Sequence, residues 1–235
     1  MPHPTGRVRD SAHEFRQVAV GISTCFLVSG ATGLAYEVLW TRMLGLVFGH
    51  TVFAVTTVLA AFMAGLGLGS YLFGRIADRQ ARPLCLYGIL EIGIGLYALL
   101  TPLLFARAEA IYIPLRRALG LSFFSFSLAQ FCLIFAILLV PATLMGATLP
   151  VLSRFFVRRL AALGGQVGRL YAINTFGAVL GTYLAGFHMI PVFGISKSLL
   201  LAAVANVGIG VLAIVFDRHL RRLGGMETSA ELQRS

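Results

Sequence analysis

Charge is what this sequence has least of. Only 12% of its residues are Asp, Glu, Lys or Arg, about half the share carried by a soluble globular domain. That deficit excludes water as the solvent for most of the chain. Cysteine is sparse too. Cys25, Cys85 and Cys132 are scattered without metal or redox spacing and read as small buried hydrophobes. The histidines His3, His13, His50, His188 and His219 contain no pair at metal-ligand spacing. No metal site is therefore expected. The net charge is +10, yet no basic patch interleaves with aromatics, so nucleic acid is excluded as a partner. The basic residues lie instead between hydrophobic runs, which points to membrane topology and anionic headgroups. No strand runs into a glycine-rich turn and a helix, so no dinucleotide-type cofactor is expected.

What is present is apolar. Hydrophobic residues make up 58% of the chain, and the mean hydropathy is +0.87. A bilayer span needs about 20 apolar residues. Charge-free runs of that order begin after Arg16, Arg42, Arg117, Arg169 and Lys197. The pattern predicts an all-α integral membrane protein with six transmembrane helices, at about 18–39, 51–74, 84–106, 123–149, 168–192 and 195–216. A basic N-tail (1–17) and a C-tail (217–235) flank this domain. The first run has no convincing cleavage site after it and reads as a retained span. The connection at 107–120 allows a short interfacial helix. The one at 153–169 has the spacing of an amphipathic helix lying on the membrane. Pro141 should bend the fourth span, and Pro150 should mark its end. A tight turn is expected in "PVFGIS".

Six spans put both termini on one side. That side collects fourteen of the nineteen Lys and Arg, which places the termini in the cytoplasm and the protein in the inner, cytoplasmic membrane. An internal echo also appears. "GLGLGSYLFG" (65–74) aligns without gaps on "GAVLGTYLAG" (177–186). The two segments would run in opposite directions, the mark of a 3+3 inverted repeat like half of a major facilitator fold. The first and fourth spans align only weakly.

Several side chains stand out against this background. Gly65 with Gly69, and Gly177 with Gly181, form GxxxG pairs that let a helix backbone approach closely, whether for static packing or for sliding. At one connection Asp78 sits among Arg75, Arg79 and Arg82. This is either a charge latch between helix ends or a basic loop with one neutralising acid. Asn174 needs partners inside the fifth span and suits interhelical bonding better than substrate contact. Glu37 and Glu91 are the acids within the spans. Glu91 is either a functional carboxyl or one held by a hydrogen-bonding neighbour. Glu37 and Arg42 are five residues apart, about 140° around a straight helix. That suggests separate roles, with Glu37 turned inward to a polar partner and Arg42 at the interface beside Trp40, an aromatic-belt residue.

Taken together, "SGATGLAYEVLWTRMLGLVFG", "LAAFMAGLGLGSYLFGRIADR", "LMGATLPVLSR" and "GRLYAINTFGAVLGTYLAGFHMIPVFG" resemble the major-facilitator-like membrane domain of fused membrane-bound spermidine synthases, the polyamine aminopropyltransferase family. The resemblance covers about residues 20–215. It implies a membrane domain that precedes a soluble aminopropyltransferase domain. After Phe216 only "DRHLRRLGGMETSAELQRS" follows, so the expectation is the membrane domain without its synthase, and no catalytic residue carries over. Three readings stay open. One is a non-catalytic scaffold or accessory subunit, partnered by the bilayer and by other membrane subunits or its own copies. Another is a transporter of a small organic solute or polyamine, built from an oligomer of six-helix units, with Glu37, Glu91 and Asn174 lining one cavity. The third is an anchor for a separately encoded aminopropyltransferase.

Overall fold

The computed structural model describes residues 5–48, 51–119, 122–160 and 163–232. These residues are helical almost throughout, with no strand among them. The elements are α1 (Thr5–Phe48), α2 (Thr51–Arg79), α3 (Pro83–Leu119), α4 (Phe123–Leu160), α5 (Leu163–Leu184), a π-helical turn (Ala185–Met189) and α6 (Ile190–Leu232). Five helical runs are long and apolar enough to cross a membrane. The last, Val167–Arg221, is 55 residues long, about 80 Å if straight, well beyond a hydrocarbon core of about 30 Å. Its backbone leaves the helical region at Gly194 (φ 75, ψ 173). This glycine lies in the "PVFGIS" segment, where the sequence reading puts a turn.

Helix ends depart from expectation. Helix α4 runs through both Pro141 and Pro150 to Leu160, so Pro150 does not end it. Helix α3 likewise passes Pro102 and Pro114 and continues to Leu119, in place of a separate interfacial helix. No separate surface helix appears at 153–169 either, because α4 and α5 take up its described residues. The chemistry of the prolines explains the continuity. Each proline frees the carbonyl four residues before it, and in lipid that oxygen needs a donor. The Pro150 partner, Gly146 O, accepts from Ser70 Oγ at 2.9 Å. The Pro141 partner, Ile137 O, accepts from the Tyr97 hydroxyl at 2.9 Å. The Pro102 partner, Ala98 O, accepts from Thr101 Oγ1 at 2.7 Å. With these three carbonyls capped, the helices have no reason to stop at Pro102, Pro141 or Pro150.

The helices pack in pairs. Helix α2 lies along α4, α5 along α1, and α3 along α6. Glycine sets the first two separations. A Cβ on Gly69 would fall 2.0 Å from Thr143 O, and one on Gly181 would fall 1.9 Å from Ala31 O. Gly65 abuts Ala142 and Gly177 abuts Leu27 just as tightly. At the third crossing Gly88 meets the carbonyl of Gly210, and Gly210 meets that of Gly88. The side chains between helices form two apolar clusters. One holds Ile22, Phe26, Leu84, Tyr87, Val151 and Ala213. The other holds Tyr36, Trp40, Phe62, Ile94, Ile134 and Leu199. Along α1, α3 and α6 alike, one cluster gives way to the other within about two turns. The polar centre lies at that junction.

Candidate functional site

Glu91 stands on α3 between Tyr87 of one cluster and Ile94 of the other. It is wholly buried. Its carboxyl accepts from Ser29 Oγ of α1 at 2.5 Å and from Asn206 Nδ2 of α6 at 2.6 Å. Asn206 Oδ1 accepts in turn from the Tyr36 hydroxyl at 3.1 Å. A carboxyl inside a membrane bundle is costly unless its oxygens are occupied, and here both are. Tyr87 is also fully buried. Its hydroxyl has no hydrogen-bond partner at standard geometry, though it lies close enough to Glu91 and Ser29 to interact electrostatically. Three helices that are distant in sequence are thus tied through one carboxyl.

Trp40 extends this centre instead of facing lipid. It is fully buried, stacks on Tyr36 at 5.4 Å, and donates Nε1–H to Thr101 Oγ1 at 2.9 Å. The aromatic-belt reading is therefore corrected. Trp40 falls four residues after Tyr36, on the buried stripe of α1, and its N–H finds a partner on α3.

Glu37 also departs from expectation. It does not reach a polar partner on another helix. It is half-buried and lines an open groove of about 610 Å³ together with Val38, Arg42, Leu46, Ile190 and Pro191. Arg42 faces the same groove from an exposed position. The 140° separation is bridged because the groove is broad and the arginine side chain is long. Among the described residues neither Glu37 nor Arg42 makes a hydrogen bond or ion pair, with each other or with a third group.

Asn174 of α5 donates Nδ2–H to the Phe26 carbonyl of α1 at 3.1 Å and packs over Gly30. The three polar candidates therefore occupy three separate places: a sealed centre, an open groove and a helix seam. They do not line one cavity.

At the opposite end of α2 from its Thr51 start, Asp78 pairs with Arg154 of α4 at 3.7 Å, and Arg154 also donates to the Asp78 carbonyl at 3.4 Å. Arg75 lies over the Tyr71 ring at 4.3 Å. Arg79 and Arg82 are exposed. The ion pair thus joins α2 to α4 through an arginine outside the sequence-predicted set. Among the described residues no three His, Cys, Asp or Glu side chains gather where a metal could bind.

Sequence comparison adds a relationship to this geometry. The chain is 24% identical over 208 residues to polyamine aminopropyltransferase 1 of Streptomyces coelicolor, a match covering 87% of this chain and 35% of that protein. It is 24% identical over 214 residues to polyamine aminopropyltransferase 1 of Ralstonia nicotianae, covering 90% and 37%. A second Streptomyces coelicolor protein, polyamine aminopropyltransferase 2, is 26% identical over 208 residues, covering 87% and 35%. Over most of its length the chain is similar to these polyamine aminopropyltransferases. It spans about a third of the length of the curated relatives it matches, and the similarity covers the apolar helices. No protein-family model matches the chain, and no solved structure matches it significantly.

Sequence reasoning missed four participants in the polar centre: Ser29, Tyr36, Tyr87 and Asn206. Asn206 carried a usable signal. An amide in the middle of "LAAVANVGIG" needs a partner in lipid, and the deepest acid in the chain is the natural one. Ser29 and the tyrosines carried none, because hydroxyls occur throughout membrane helices.

Proposed function

We propose that the chain is a six-span membrane bundle serving as a non-catalytic scaffold for a polyamine aminopropyltransferase, whether that enzyme lies on the same polypeptide or another. The sealed state of Glu91 carries this reading. A carboxyl with both oxygens occupied by Ser29 and Asn206 suits a structural tie better than a substrate ligand. The separate placement of Glu37, Glu91 and Asn174 also weighs against a shared transport path. The relatives supply the aminopropyltransferase half of the proposal.

Six spans follow if Gly194 is the turn between the last two. Helix α5 then packs on α1 while α6 packs on α3, as separate spans would. The excess of Lys and Arg on one side orients both termini to the cytoplasm of an inner membrane, with residues 18–216 as the membrane domain between two tails.

The inverted repeat finds support in the contacts. The step along the chain that carries Gly69 to Gly181 also carries Ala31 to Thr143. Gly69 meets Thr143, and Gly181 meets Ala31. One contact is thus the other with its partners exchanged between halves. Exposures match as well: Tyr71 is 58% exposed and Tyr183 52%. The reciprocal Gly88 and Gly210 crossing lies where the two halves would meet. On this reading the two GxxxG pairs are equivalent seams, each joining one helix to its neighbour.

Purification in mild detergent without crosslinker tests the scaffold. A co-purifying or covalently attached aminopropyltransferase in stoichiometric amount is expected. Polyamine flux into liposomes that is lost in Glu91→Gln would overturn the scaffold reading in favour of transport.

A further inference from the structure

We propose that the groove between α1 and the start of α6 binds a zwitterionic phospholipid headgroup of the phosphatidylethanolamine type. The site is distinct from the Glu91 centre and does not depend on the scaffold reading. Glu37 and Arg42 line one groove, carry opposite charges, and touch neither each other nor another polar group among the described residues. Two uncompensated charges in a membrane helix are costly. A single ligand that carries a cation and an anion relieves both.

The geometry narrows the ligand. The two residues are separated by about 7.5 Å along the helix axis, within the combined reach of two long side chains around a short zwitterion. A primary ammonium would donate to the Glu37 carboxylate. A phosphate would accept from the Arg42 guanidinium in a bidentate pair. A polyamine supplies only cations and would leave Arg42 unanswered. Apart from Thr41 the remaining wall is apolar, with Val38, Leu46, Ile190 and Pro191. Leu46 is 69% exposed, so the groove opens onto the lipid-facing surface and can pass an acyl chain outward. Its depth also fits. Helix α1 stops at Phe48, two residues beyond Leu46, and Pro191 lies three residues before the backbone break at Gly194, so the groove lies near the end of the bundle, where headgroups sit. The π-helical turn Ala185–Met189 contributes Gly186 to the wall. Such turns recur at functional sites.

Native mass spectrometry of the full chain, with phosphatidylethanolamine or phosphatidylglycerol added to the detergent at equal concentration, decides the matter. Wild type is expected to retain phosphatidylethanolamine about tenfold better, the discrimination worth one charge-assisted hydrogen bond. Glu37→Gln should abolish that preference, and Arg42→Gln should lower retention of both lipids. Equal retention of the two lipids by wild type overturns the proposal, whatever the variants do. So do variants that fold, as judged by a monodisperse elution, and retain phosphatidylethanolamine as wild type does. Soluble phosphoethanolamine raising the melting temperature as much as the lipid overturns the lipid source.

Discussion

At the scale of single residues, the two intramembrane acids part company. Removing the Glu91 carboxyl strands Ser29 Oγ and Asn206 Nδ2 in a buried site, and each abandoned polar group costs about 1–3 kcal/mol. Glu91→Leu should therefore lower stability by several kcal/mol, on the order of 3 or more, while Glu91→Gln keeps much of the bonding and costs less. Thermal unfolding in detergent reads the difference, and a Leu variant as stable as the Gln variant would refute the account. Glu37 is the reverse case. It faces an open groove and meets no polar partner among the described residues, so Glu37→Leu should fold and express like wild type. Expression with detergent stability checks this, and a collapse would mean that Glu37 has an inward partner after all. The sequence marks both acids equally, because a charge in an apolar run says nothing about which neighbour meets it. That information lay in Asn206, more than a hundred residues away in sequence, as the separation of 115 attests.

Single elements answer to glycine and to proline. Gly69 and Gly181 each sit where a Cβ would run into a backbone carbonyl at about the same distance. Alanine at either should force the helices apart and cost about 1–3 kcal/mol. Gly67 and Gly186 have nothing within 4 Å of a Cβ, so alanine there should be neutral or slightly stabilising. Equal melting temperatures for Gly181→Ala and Gly67→Ala would dismiss the seam. Gly194→Ala is a third class. Space is open, but φ is 75° and ψ 173°, a region essentially reserved for glycine, and an L side chain there costs about 1–3 kcal/mol. Elements also mark the boundary of what could be read in advance. Long apolar helices were legible from charge-free runs, and the turn in "PVFGIS" from its glycine. The ends of α3 and α4 were not. Proline is a local stop signal, yet Ser70, Tyr97 and Thr101 cancel it from other positions, and only the assembled bundle puts the first two within reach. Tyr97→Phe should cost about 1 kcal/mol by uncapping Ile137 O, measurable as a drop in melting temperature.

For the whole molecule, the proposed topology is testable with cysteines. Residues near Gly194 should label from outside the cell, and residues in the 218–222 segment only after permeabilisation. Labelling of both from one side would return the last run to a single span. The charge bias that suggested this arrangement was visible in the sequence. The pairing of Asp78 with Arg154 was not, because an ion pair between two helices depends on how α2 lies against α4.

One consequence concerns the order in which the chain is made. Helix α3 emerges with Glu91 well before α6 brings Asn206, 115 residues later. At about 5–20 residues per second the carboxyl waits on the order of ten seconds with Ser29 and the nearby Tyr87 hydroxyl but without Asn206. During that interval the nascent bundle holds a half-satisfied acid in an apolar phase. The last helix is then the one that closes the centre, and a chain that stops short of it leaves the bond from Asn206 to the carboxyl unmade.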